Sequence, residues 1–214
     1  APKLPGYRPS HRAPTSEFAR AAELINAAKR PLILAGQGIL KSGTTDEVLK
    51  LAKTAGIPIT TTLLGIGVIP ASSPFNLGMM GMHGEAWVNE AIQQADLLIA
   101  LGMRFDDRVT GNLKTYALNA KKIHVDIDPT EINKNVPVDV ALIGDLREVL
   151  AEIQPQVKKA DHAEWWASIK ARRGDAAVHA AQRIVVIEDR RVGEHDAAEL
   201  DFGERHAQHP RDRR

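Results

Sequence analysis

Residues 96–111, DLLIALGMRFDDRVTG, constrain this chain more than any other stretch. Leu97 to Leu101 is an unbroken apolar run, the pattern of a strand buried on both faces, and such strands belong to parallel sheets with helices on either side. At Gly102 the run breaks into a loop crowded with Arg104, Asp106, Asp107 and Arg108. Charge is therefore concentrated where a strand ends. In an open parallel sheet ligands bind in the crevice beyond the carboxyl ends of the strands, so this loop is where function is expected.

The remainder repeats the same alternation. Phe18, Ala21, Ala22, Ile25 and Ala28 form a helical stripe after Thr15-Ser16, and Pro31 to Ala35 is a short apolar strand that runs into Gly36-Gln37-Gly38. Thr44 and Glu47 have capping-box spacing at the head of a helix that stops at Gly56. Ile57 to Thr62 is a second strand, followed by a long glycine-rich connection, Leu63 to Gly84, interrupted by a short strand near Phe75 to Gly78. Glu85 to Gln94 suits a helix, Lys122 to Asp128 and Val138 to Ile143 are strands, and Leu146 to Ile153 is a helix. Such repetition predicts parallel strands with right-handed crossovers and helices on both faces, a three-layer α/β/α fold. Ala1 to Pro14 reads as a linker or arm, Asp161 to Ala171 as a helix presenting Trp165, Trp166 and Ile169, and Arg183 to Glu188 as an apolar strand. The expected boundaries are an arm over 1–14, a ligand-binding domain over 15–155, a helix and divergent extension over 156–190, and a disordered tail over 191–214.

With 214 residues and 43% hydrophobic content there is enough chain for one sizeable core. A net charge of +1 offers no global attraction to nucleic acid or acidic membranes, so any anion must be recognised locally. The absence of cysteine excludes disulfides, thiolate metal sites and cysteine nucleophiles. Neither a membrane-spanning run nor a signal-peptide pattern is visible, and a cytoplasmic location is expected.

Several residues stand out chemically, each with a plainer alternative. Glycines at four strand ends either admit a ligand to the backbone or serve tight packing of the sheet. Gly36-Gln37-Gly38 lacks the third glycine of the usual dinucleotide fingerprint, and the strand ending at Thr62 carries no acid for a ribose diol, so an ordinary nicotinamide Rossmann domain is disfavoured. Arg104 and Arg108 either clamp a pyrophosphate or carboxylate, or form a surface network with Asp106 and Asp107. Asp126 and Asp128 either accept from ligand hydroxyls or bind a metal, the first being favoured, or, for Asp128 before Pro129, cap a turn. His83 has no second ligand at metal spacing, and no metal site is expected. Met79, Met80 and Met82 either fill the core or line an adaptable pocket.

Assembled, these motifs resemble the central domain of the catalytic subunit of acetohydroxyacid synthase (acetolactate synthase), a thiamine-diphosphate-dependent enzyme family. The resemblance runs from about Leu4 to about Trp166. It is carried by Leu63-Leu64-Gly65-Ile66-Gly67, Gly81-Met82-His83-Gly84, Gly102 to Gly111, His124-Val125-Asp126-Ile127-Asp128 and Glu131-Ile132-Asn133-Lys134-Asn135. It implies a flavin-binding, Rossmann-like fold with a roughly six-stranded parallel sheet, holding FAD that undergoes no net redox change in the main reaction. The FAD contacts implied are Gly36, Gln37, Gly38, Thr62, Leu63, Met80, Gly81, Met82, His83, Gly102, Met103, Arg104, Phe105, Asp106, Asp126, Ile127, Asp145 and Leu146. Met82, Asp107 and Arg108 are implied to bind substrate, with Arg108 on the carboxylate of a second 2-oxo acid.

In that family thiamine diphosphate and Mg2+ lie between two further domains, which this chain lacks. No catalytic residue is therefore expected here, and the chain alone is expected not to form acetolactate or acetohydroxybutyrate. The expected partners are FAD, the other domains of the subunit, further copies of it and a regulatory subunit; nucleic acid and membrane are not expected. Two other readings remain: a self-associating module that holds no cofactor, and the equivalent domain of glyoxylate carboligase or a related decarboxylase.

Overall fold

The computed structural model of the chain describes residues 13–174. The chain divides into two units, Ala1–Lys170 and Ala171–Arg214, and of the second only the helical residues 171–174 are described. The arm up to residue 12, the strand expected at Arg183 to Glu188 and the disordered tail lie outside the described residues.

In chain order the elements are α1 (Thr15–Ala27), β1 (Pro31–Ala35), α2 (Gln37–Ser42), α3 (Thr45–Ala55), β2 (Ile59–Thr61), β3 (Asn76–Met79), α4 (Ala86–Gln94), β4 (Leu97–Leu101), α5 (Asp107–Thr110), β5 (Lys121–Asp126), β6 (Val140–Ile143) and α6 (Leu146–Ile153). A further helix begins at residue 163. The strands form one sheet in the order β3-β2-β1-β4-β5-β6, with every pairing parallel. This is the expected three-layer α/β architecture.

The burial pattern follows from the apolar runs. All five residues of β1 and all five of β4 are buried, as strands between two helical layers must be. Ile33, Ala35, Leu97, Ile99, Leu101, Ile123 and Val125 join a core with Phe18, Ala21 and Ile25 of α1, Val48 and Leu51 of α3, and Val149 and Leu150 of α6. Each such aliphatic side chain taken from water contributes about 1.5–3 kcal/mol before entropy is charged against it. The alternate residues Leu32, Leu34, Leu98 and Ala100 are equally buried on the opposite face. The β1-to-β2 and β3-to-β4 crossovers travel in opposite directions along the sheet, so right-handedness places α3 and α4 on opposite faces.

Strands β5 and β6 are shorter than the expected 122–128 and 138–143, and two further local expectations changed. The capping box does not form: Thr44 precedes α3 without a side-chain cap, because its Oγ1 is 2.8 Å from Ser42 Oγ and its backbone is not extended. Strand β2 is shorter than the apolar run, since Pro58 has no N–H for the ladder and pairing starts at Ile59. Gly56 ends α3 in the left-handed region at φ +65°, where a side chain would also approach Ala160 O to 2.8 Å.

At the edge where strands begin, polar groups close on one another. The Asp96 carboxylate accepts from the N–H groups of Lys29 and Arg30, both at 2.8 Å. Asp139 accepts from Lys122 N and Lys121 Nζ, both at 2.9 Å. Lys122 Nζ, almost wholly buried, donates to Ala117 O and Ala120 O. Trp165 is buried and donates its Nε1–H to Pro31 O at 3.0 Å.

Candidate functional site

The strand order fixes where a crevice must open. After β1 the chain moves outward to β2 and β3, and after β4 it moves the other way to β5 and β6. The loops leaving β1 and β4 therefore diverge, and ligands of open α/β sheets bind at such a switch point. A cleft of about 720 Å3 lies there, within the roughly 300–1,000 Å3 usual for ligand sites.

Every strand end but that of β3 contributes to it: Gln37, Gly38, Lys41 and Ser42 after β1; Thr62, Leu63 and Leu64 after β2; Gly102, Met103, Arg104, Asp106, Arg108 and Val109 after β4; Asp126, Ile127, Asp128 and Glu131 after β5; and Gly144, Asp145 and Leu146 after β6. Of the candidate residues, Gln37, Gly38, Thr62, Leu63, Gly102, Met103, Arg104, Asp106, Arg108, Asp126, Ile127, Asp145 and Leu146 are brought together in this way. Gly36, Met80, Gly81, Met82, His83, Phe105 and Asp107 do not line the cleft.

The glycines at the centre serve packing more than ligand approach. A Cβ on Gly36 would collide with Gly102 O, and one on Gly38 would lie 2.6 Å from Gly102 Cα. Gly38 N–H donates to Gly102 O at 2.9 Å, so the β1 and β4 turns lock backbone to backbone. Gly102 itself has φ +57°, which costs an L-residue strain that glycine avoids.

The loop after β4 alternates. Met103 and Phe105 are buried and Arg104 between them is exposed. Asp106 caps α5 by accepting from Val109 N–H, and its other oxygen is 3.9 Å from Arg104 Nη2. Arg108 Nε is likewise 3.9 Å from Asp107, with both side chains largely exposed. Exposed pairs at that separation hold their partners weakly, which leaves two guanidinium groups beside the cleft for an incoming anion.

Met82 and His83, both exposed, sit on a neighbouring loop that touches the cleft wall through Arg108. Met82 N–H donates to Arg108 O at 2.8 Å, and Arg108 Nη1 is 3.9 Å from Met82 Sδ. The turn is held by Asn89, whose amide donates to Gly81 O and accepts from Gly81 N–H. Met80 is core, with its N–H on Thr61 O. Of the two roles weighed for the methionines, Met80 takes the core one, and Met82 is exposed beside Arg108 without lining the cleft.

Asp126 and Asp128 also separate. Asp128 caps the 3-10 turn Pro129–Glu131, accepting from Thr130 N–H and Oγ1, which hold its carboxyl below the usual range. Asp126 is half-buried, and burial pushes its carboxyl up despite the bond it accepts from Asp128 N–H. A carboxylate retained at such a cost beside a cleft has the profile of a functional group. His124 is fully buried beneath it; burial pushes its imidazole below the ordinary value, so the ring is neutral at pH 7. Among the described residues, no group of three or more His, Cys, Asp or Glu could hold a metal ion.

Lys41, Ser42, Leu64, Val109 and Glu131 were not foreseen as cleft residues. The signal for the first two was the Ile39-Leu40 pair, which belongs to a short helix opening directly from the glycine turn.

A parallel sheet with a mixed-charge cleft at its switch point is the architecture that ligand-binding α/β domains share. Residues 18–153 match the family model described as thiamine pyrophosphate enzyme, central domain, and the chain belongs to that family. It is 48% identical over 155 residues to a probable acetolactate synthase large subunit of Methanococcus aeolicus, covering 72% of this chain and 26% of that protein. It is 43% identical over 177 residues to an acetolactate synthase of Mycobacterium bovis (80% and 29%), and 44% identical over 167 residues to the acetolactate synthase large subunit of Corynebacterium glutamicum (76% and 27%). The chain spans just over a quarter of the length of these relatives.

Proposed function

We propose that this chain is the FAD-binding central domain of an acetolactate synthase large subunit, a cytoplasmic enzyme that condenses pyruvate, with loss of CO2, with a second 2-oxo acid for branched-chain amino acid synthesis. The observation that carries this reading is the cleft itself. Cations, hydroxyl-accepting carboxylates and exposed apolar side chains occupy different strand ends of one opening, the donor set an extended flavin dinucleotide needs.

In this reading Arg104 and Lys41 bind the diphosphate as fixed cations. Asp126 accepts from a sugar or ribityl hydroxyl, and Leu63 and Ile127, which expose most of their surface, flank the rings. Met82, Asp107 and Arg108 stand at the cleft margin, where Arg108 holds the carboxylate of the second 2-oxo acid. Thiamine diphosphate, held with Mg2+ by other parts of the longer protein, supplies the nucleophilic carbon of the condensation. The complete subunit forms homo-oligomers and binds a regulatory subunit.

Mixing the purified chain with FAD and following flavin absorbance through gel filtration tests the ligand. Co-elution is expected, and its absence at micromolar protein would overturn the assignment. The same preparation, given thiamine diphosphate, Mg2+ and pyruvate, is expected to form no acetolactate; turnover would show that the chain carries chemistry not assigned to it.

A further inference from the structure

Two side chains from different elements grip the loop after β4. His124, on β5, places Nε2 2.8 Å from Met103 O. Asn135, in the connection to β6, donates from Nδ2 to Phe105 O at 2.8 Å. The gripped carbonyls lie either side of Arg104. His124 is 0% exposed, and its other nitrogen, Nδ1, has no hydrogen-bond partner among the described residues. The Nε2–H tautomer is therefore committed to the loop, because Met103 O can only accept. Phe105 packs edge-on to His124 at 5.1 Å and to Tyr116 at 6.1 Å, which fixes the inward side chains. Leaving a buried histidine nitrogen unpaired costs stability, so the ring is better explained by what its other nitrogen holds.

We propose that His124 and Asn135 are positioning residues for Arg104: by holding the carbonyls of Met103 and Phe105 they keep the chain alternating in-out-in, so that Arg104 is presented to the anionic part of the cleft ligand. An arginine on a loose loop would pay side-chain and backbone entropy on binding; held on both sides it pays less. The ligand readout rests on the FAD assignment above, while the loop readout does not.

The test uses the full chain with His124→Leu, which removes the donor; His124→Gln, which returns one; Asn135→Ala; Arg104→Ala; and the Asn135→Ala/Arg104→Ala pair. Hydrogen exchange and 15N relaxation at 103–106 and at Arg104 Nε are measured alongside titrations with FAD and with riboflavin, which keeps the ring system but carries no phosphate. His124→Leu and Asn135→Ala are expected to speed exchange at 103–106 and to weaken FAD about tenfold, the scale of one lost hydrogen bond, with riboflavin unchanged and His124→Gln restoring both. The double variant is expected to bind FAD no worse than Arg104→Ala alone, because coupled residues are not additive. Equal losses for FAD and riboflavin, additive losses in the pair, or unchanged exchange at 103–106 would each overturn the proposal. If the unaltered chain takes up neither flavin, the FAD assignment falls, and exchange with the Arg104 Nε relaxation decides the positioning claim alone.

Discussion

The two edges of the sheet treat several of their charges in opposite ways. Where the strands begin, Asp96, Asp139, Lys121 and Lys122 are closed in bonds of 2.8–2.9 Å, mostly to backbone. Where they end, Arg104 and Arg108 reach their acidic neighbours only at 3.9 Å, and Asp126 is held at a cost. A bond closed within the protein stabilises the fold and is spent there. A charge left loosely paired stabilises little, and its interaction is free to be made with something else. The beginning edge closes its charges into the fold, and the ending edge leaves the charges that the proposed ligand would use.

That contrast is open to three measurements, in falling order of effect. Trp165→Ala, at the beginning edge, removes a buried ring and its bond to Pro31 O, and is expected to cost about 3–5 kcal/mol in denaturant unfolding. Molecules that remain folded should keep their ligand affinity; a selective loss of affinity would break the division. Asp96→Ala leaves two N–H groups without their carboxylate and is expected to cost about 2–3 kcal/mol, again sparing the cleft.

The smallest effect is at the ending edge and has the opposite sign. Burial raises the folded Asp126 carboxyl above its ordinary 3.8, so the native state holds this proton more tightly than the unfolded chain does. The associated stability is present below pH 3.8 and is lost as pH rises through the raised value. Asp126→Asn should therefore be slightly more stable than the parent at neutral pH, the gap narrowing toward acid, while affinity for a hydroxyl-bearing ligand falls. His124 works the other way. Its lowered value makes stability fall as pH drops below 6.5, and this slope should persist in Asp126→Asn. A variant less stable at pH 7, with thermal melts as the check, would contradict the assignment of cost to Asp126.

Much of this was legible because the sheet's centre is written in uninterrupted apolar runs: β1 and α6 occur at the expected residues, and the loop after β4 opens into the cleft as the placement of its charges implied. Three kinds of feature were not. The close approach of Gly36 and Gly38 to Gly102 depends on two strand ends becoming neighbours, which no local pattern records. The contacts of Asn135 with Phe105 and His124 with Met103 join single polar residues 30 and 21 positions apart, outside any periodicity. Thr44 and Glu47 had the right spacing for a capping box, but the nearby Ser42 hydroxyl took the threonine first.

The pairing of β1 with β4 has a consequence for how this molecule comes into being. Pro31 meets Leu97 and Ala35 meets Leu101, partners 66 positions apart, whereas the strands on either side of that seam join segments closer along the chain. Contacts that close long loops form late and set the folding rate. The cleft draws on strand ends from both flanks, Pro31 to Met79 and Leu97 to Ile143, so it is complete only once they are paired. Ligand capture during refolding would therefore time the closing of that seam, and a chain interrupted between β3 and β4 would regain its site only by reuniting the halves.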